Sequence, residues 1–177
     1  MARHPILHIS EAKQLQLFGW GVVATLAVGA PLLAAIETGP GISALVSLVF
    51  SGSPTHAEAI LSTWSSSDRI LIAFANGLDY LFGALLYCTL AIGCTWAARL
   101  RPSPQPSAAG IVLVWLSILA VLLDIPENTS YLLMVYGNTS SPLPQVARAT
   151  SIPRFAIFFL CTGYILFGAI RARRMHA

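Results

Sequence analysis

Residues 108–136 read AAGIVLVWLSILAVLLDIPENTSYLLMVY. This run is apolar and long enough to cross a bilayer, which takes about 20 residues as a helix. In its second half stand Asp124, Pro126, Glu127 and Asn128. Placing one such charge in hydrocarbon costs roughly 2.5–3.5 kcal/mol on insertion scales. An acid at that depth marks a candidate functional site, and two of them need partners. On a helix Asp124, Glu127, Asn128 and Tyr131 are spaced i, i+3, i+4, i+7 and share one face. Pro126 lacks an N–H and clashes with the carbonyl of Leu122, so a kink is expected there. A helix ending at Leu123, with a turn over 124–130, is the competing reading. It leaves too short a run to span.

The rest of the chain has the same character. Of 177 residues, 56% are hydrophobic and 10% charged, against about 25% charged in soluble proteins. Mean hydropathy is +0.73. We therefore expect an all-α integral membrane protein, a single transmembrane domain over 1–177. Spans are expected at about 15–36, 70–97, 109–136 and 153–170. The first follows His8 to Lys13, a candidate short interfacial helix. Its apolar run is too long for the core of a signal peptide, although Leu33-Ala34-Ala35 offers small residues, so a retained span is expected. The loop over 37–69 holds two short segments, Ile42 to Phe50 and His56 to Trp64. These are expected at the outer interface or capping the bundle, with a re-entrant 42–50 as the alternative. Loops over 99–108 and 137–152 are rich in Pro and Ser.

Basic residues set the orientation. Arg3, Lys13, Arg99, Arg101, Arg171, Arg173 and Arg174 flank one side of these spans; Arg69, Arg148 and Arg154 flank the other. The asymmetry places both termini in the cytoplasm, in a four-transmembrane-helix bundle. The net charge of +3 follows from these flanks, so nucleic acid is not an expected partner. The bilayer is. Gly19, Gly21, Gly29, Gly163 and Gly168 also suit close contact with a membrane protein partner or a second copy. Cys88, Cys94 and Cys161 lie in apolar segments without metal-ligand spacing and read as packing residues. His4, His8 and His176 read as solvent or headgroup residues, and His56 as a loop residue.

A second span supplies a counterpart to the acids. Arg69, Asn76, Asp79, Gly83 and Tyr87 form a helical stripe. Asp79 lies ten residues inward of Arg69, and Glu127 ten inward of Gly137. At ~1.5 Å per residue both sit about 15 Å deep, so antiparallel neighbours bring them to one level. The candidate centre is Asp79, Asp124, Glu127, Asn128 and Asn76, with Tyr87, Tyr131, Arg69 and Arg154 around it. Three carboxylates so close cannot all stay ionised without a cation. No cofactor is evident. The oxygen donors of Asp79, Asp124 and Glu127 suit a hard divalent cation and not zinc or copper.

At these positions the chain resembles a group of small bacterial membrane proteins with four hydrophobic segments. Those carry Asp-x-x-Phe in the second segment and Asp-x-x-Glu-Asn in the third. Here the elements are Asp79-Tyr80-Leu81-Phe82 and Asp124-Ile125-Pro126-Glu127-Asn128. Where that group often has Pro and Tyr, this chain has Gly83 and Leu86, with Tyr87 one position late. The resemblance implies a bacterial cytoplasmic (inner) membrane and a shared polar centre, and no activity.

Three functions compete. One is a site that binds or relays a proton or hard cation. The second is a structural or accessory subunit of a larger membrane complex, held by the same polar contacts; co-purification from gently solubilised membranes tests it. The third is a membrane enzyme acting on a lipid or isoprenoid, with paired carboxyls as acid and base. Unchanged lipids on incubation with labelled extract would count against that reading.

Overall fold

A computed structural model describes residues 9–100 and 107–176. Within them the chain forms six helices and no strand: α1 (Glu11–Thr38), α2 (Ile42–Val49), α3 (Pro54–Ser62), α4 (Ser66–Arg99), α5 (Ala108–Val135) and α6 (Leu143–His176). Helices α1, α4, α5 and α6 are each long and apolar enough to cross a membrane. That is the pattern of a multi-pass membrane protein. Arg3, His4, His8 and Arg101 lie outside the described residues.

Local chemistry explains the helix ends. Ser65 and Asp68 form a reciprocal cap before α4. The Ser65 amide donates to Asp68 Oδ2 at 2.8 Å, and the Asp68 amide donates to Ser65 Oγ at 3.2 Å. Ser53 accepts from the His56 amide with Pro54 opening α3. Gly137 terminates α5 at φ 99°. Its amide donates to Met134 O, and the Asn138 amide reaches back to Leu133 O. This closure needs a residue at positive φ, which glycine adopts without strain.

Two expectations need correction, and the competing reading of α5 is set aside. Glu11 to Lys13 are the first turn of α1 and not a separate interfacial helix. The turn over 124–130 is absent, since α5 continues through Pro126. The loop expected over 137–152 is helical from Leu143, ten residues before the expected span. Pro144 sits in the first turn, where its missing N–H has no helical partner to lose. The hydroxyls that make this stretch look like a loop are satisfied within the helix. Thr150 Oγ1 donates to Val146 O at 2.8 Å, and Ser151 Oγ to Ala147 O at 2.7 Å.

The chain divides into two compact units. Unit 1 comprises Met1–Thr25, Ala84–Val121 and Phe155–Ala177. Its core gathers Tyr87, Leu90, Cys94, Val114, Cys161 and Ile165. Unit 2 comprises Leu26–Gly83 and Leu122–Arg154. Its core gathers Leu48, Leu61, Trp64, Ile72, Tyr131 and Met134, so α2 and α3 pack into it. Arg69 ties unit 2 together, donating to Leu61 O at 2.7 Å and to Val135 O at 3.3 Å. Both are carbonyls near helix C-termini, which the helices themselves leave without donors.

Burial in α5 runs opposite to that of a soluble helix. Asp124, Glu127 and Asn128 are 2%, 6% and 1% exposed, while Leu122 and Ile125 are 58% and 54% exposed. Large apolar side chains face outward along α1 and α6 as well, among them Trp20, Leu26, Phe159 and Phe167. Such a surface suits hydrocarbon, and the polar groups that hydrocarbon would not solvate are turned inward.

Candidate functional site

The acids, amides and arginine of the site belong to unit 2. Helix α5 presents Asp124, Glu127, Asn128 and Tyr131, all buried, on the single face that the i, i+3, i+4, i+7 spacing requires. Helix α4 presents Asn76 and Asp79. The Asn76 amide donates to the backbone carbonyl of Asn128 at 2.9 Å, a buried cross-helix bond. The side chain of Asn128 lies against Asp79. On the exposed side of the same helix pair, the hydroxyls of Tyr80 and Thr129 meet at 2.9 Å.

Arg154 from α6 completes the centre. Its Nη2 pairs with Asp124 Oδ1, and its Nη1 with Glu127 Oε2 at 2.6 Å. One guanidinium thus bridges two carboxylates one helical turn apart on α5. A planar fork suits this better than a lysine point charge would. Ser151, one turn before Arg154, lies beside both Glu127 and Tyr131. Asp79 interacts electrostatically with Asp124, Glu127 and Arg154. Gly83 gives Asp124 its seat, because a Cβ there would lie 2.6 Å from Oδ2 and 2.9 Å from Oδ1.

All five residues expected at the centre, Asp79, Asp124, Glu127, Asn128 and Asn76, come together. So do Tyr131 and Arg154 of the surrounding set. Arg69 does not. Arg69 is engaged with helix-end carbonyls, and Tyr87 packs in the core of unit 1.

Arg154 stands beside the acids, as its inclusion around the centre anticipates, and its depth is the correction. Read as a residue near the outer surface, it is buried and about 16 Å along α6 from Leu143, at ~1.5 Å per residue. The early start of α6 carries it there. A signal for this was present: Ala147, Thr150, Ser151 and Arg154 stand at i, i+3, i+4, i+7, and all four are buried. Ser151 was missed with them.

Among the described residues, no group of three or more His, Cys, Asp or Glu is arranged to hold a metal ion. The acids are instead served by a guanidinium, which cannot lose its proton in a protein. The three acids and one arginine leave two negative charges uncompensated if every carboxyl is ionised. A buried net charge of that size is relieved by protons or by a further cation.

No protein-family model, curated protein or solved structure matches the chain.

Proposed function

We propose that unit 2 carries an intramembrane acidic site that binds or relays a proton or a small hard cation. In this reading the protein is a four-helix bundle of a bacterial inner membrane, with both termini in the cytoplasm and α5 bent at Pro126. One observation carries the proposal: three carboxyls converge with a single arginine, so the centre holds more acid than its own cation balances. A purely structural polar contact needs no such excess, because a neutral amide or one matched ion pair holds helices together as well. Arg154 also bears on orientation. Buried against acids, it leaves only Arg69 and Arg148 on the outer side, against seven basic residues on the cytoplasmic side.

The test uses the whole protein in liposomes. Proton uptake and the binding of Mg²⁺, Ca²⁺ and Mn²⁺ are measured for wild type, Asp79→Asn and Glu127→Gln. The proposal expects at least one substitution to reduce uptake or binding several-fold. It fails if neither substitution changes either quantity, and tight co-purification with a larger complex would then favour the accessory-subunit reading.

A further inference from the structure

Resting on that reading, we propose that the ligand of the centre is the proton and not a metal ion. In this assignment Asp79 stays protonated, and Asp124 and Glu127 share one exchangeable proton across Arg154. Tyr131 passes that proton on.

The first support is charge. The centre contains Asp79 from α4, Asp124 and Glu127 from α5, and Arg154 from α6. The other elements of unit 2 bring only exposed titratable groups, Glu37 on α1 and His56 and Glu58 on α3. Three carboxyls and one permanent cation reach zero net charge when two protons are bound. A divalent ion would also neutralise the centre. It would have to enter beside a guanidinium that already occupies an oxygen of Asp124 and an oxygen of Glu127, at the cost of like-charge repulsion in a low dielectric.

The second support is the distribution of partners. Asp124 and Glu127 each hold a nitrogen of Arg154. Asp79 forms no ion pair among the described residues, and its neighbour is the neutral side chain of Asn128. Of the three, Asp79 has least to hold it as an anion. The remaining proton then belongs to the Asp124–Glu127 pair as a unit.

The third support is Tyr131. Its ring is 4% exposed, and its hydroxyl lies beside Glu127 and Ser151 yet closes no hydrogen bond. A buried hydroxyl without a partner is rare and calls for an explanation. A relay supplies one. The O–H bond of protonated Glu127 breaks as its proton binds the Tyr131 oxygen. The original Tyr131 O–H breaks in the same step and protonates a water. Tyr131 is neutral before and after, and no other reactant is needed.

Infrared spectroscopy of the intact protein in lipid nanodiscs tests this by counting protonated carboxyls. The other acids of the chain, Glu11, Glu37, Glu58 and Asp68, are exposed or half-exposed and lie outside the centre. Wild type should show two protonated carboxyls, and Asp79→Asn, which mimics a protonated acid, should show one. Glu127→Gln should lose the exchangeable proton. Tyr131→Phe should leave the count at two and slow hydrogen–deuterium exchange of the shared proton at least tenfold.

No protonated carboxyl in wild type, together with a spectrum that responds to Mg²⁺, Ca²⁺ or Mn²⁺, would overturn the assignment of the proton while leaving the cation-binding reading intact. A count unchanged by Asp79→Asn would overturn the role of Asp79. Unaltered exchange in Tyr131→Phe would overturn the relay.

Discussion

Unit 1 and unit 2 satisfy their buried polar groups in different ways. In unit 1 the groups are small and mostly bond to their own helix. Thr95 donates to Ala91 O and Ser117 to Leu113 O, and Cys94 reaches the nearby carbonyl of Cys161. Such contacts cost little to keep and place few demands on neighbouring helices. In unit 2 Asp124, Glu127 and Asp79 cannot be satisfied by local backbone, because carboxylates need donors and counter-charge that a helix interior lacks. Their partners come from other helices, Arg154 on α6 for Asp124 and Glu127 and Asn128 on α5 for Asp79. Unit 1 has the chemistry of a packed apolar core. Unit 2 holds a charged centre whose partners must all arrive together.

The largest expected break in this contrast is Arg154→Leu. Removing one partner of a buried pair typically costs about 3–5 kcal/mol, and here two carboxylates lose their cation. Protonation alone can relieve them, so the loss should be greatest above neutral pH and shrink as the pH falls. Thermal unfolding in detergent across a pH series checks both the size and the sign. A uniform loss at every pH would mean that Arg154 acts by packing alone.

Gly83→Ala sharpens the contrast from the other side. The added methyl would sit 2.6 Å from Asp124 Oδ2, closer than van der Waals contact permits. Either the carboxyl or the helix must shift, at a cost of about 1–3 kcal/mol. Combined with Asp124→Ala the penalty should largely vanish, because the clashing group is gone. Additive losses in that double variant would place the cost elsewhere.

In unit 1, Ser117→Ala should cost no more than about 1 kcal/mol. Its hydroxyl bonds to its own helix and to Cys161 Sγ at 3.4 Å, and no charge is left behind. The same unfolding measurement checks this. A loss as large as that of Arg154→Leu would erase the distinction between the units.

The same contrast explains what the sequence makes legible. The acidic face of α5 stands out because Asp124 and Glu127 interrupt an apolar run, and only a partnered interior tolerates them there. The depth match of Asp79 follows from counting residues along two spans. The start of α6 is obscured because 143–152 mixes Pro144, Gln145, Arg148, Thr150 and Ser151, a composition that loops share. Only the back-bonding hydroxyls and the buried face through Ala147, Ser151 and Arg154 reveal a helix. The depth of Arg154 is obscured for the same reason, although its place around the acids is legible from the sequence. Arg69 shows the opposite failure. It shares a stripe with Asp79, but helical spacing alone cannot say which neighbour a stripe meets at each level. Arg69 meets helix-end carbonyls, and Tyr87 meets the apolar core of unit 1.

The most direct test of the charged centre is the number of protons bound by the whole protein in liposomes. It is read as the difference between wild type and Glu127→Gln on passing from mildly alkaline to mildly acidic pH. The account predicts that wild type takes up about one proton more per molecule, the one shared by the carboxyl pair. Equal uptake by the two proteins would contradict it.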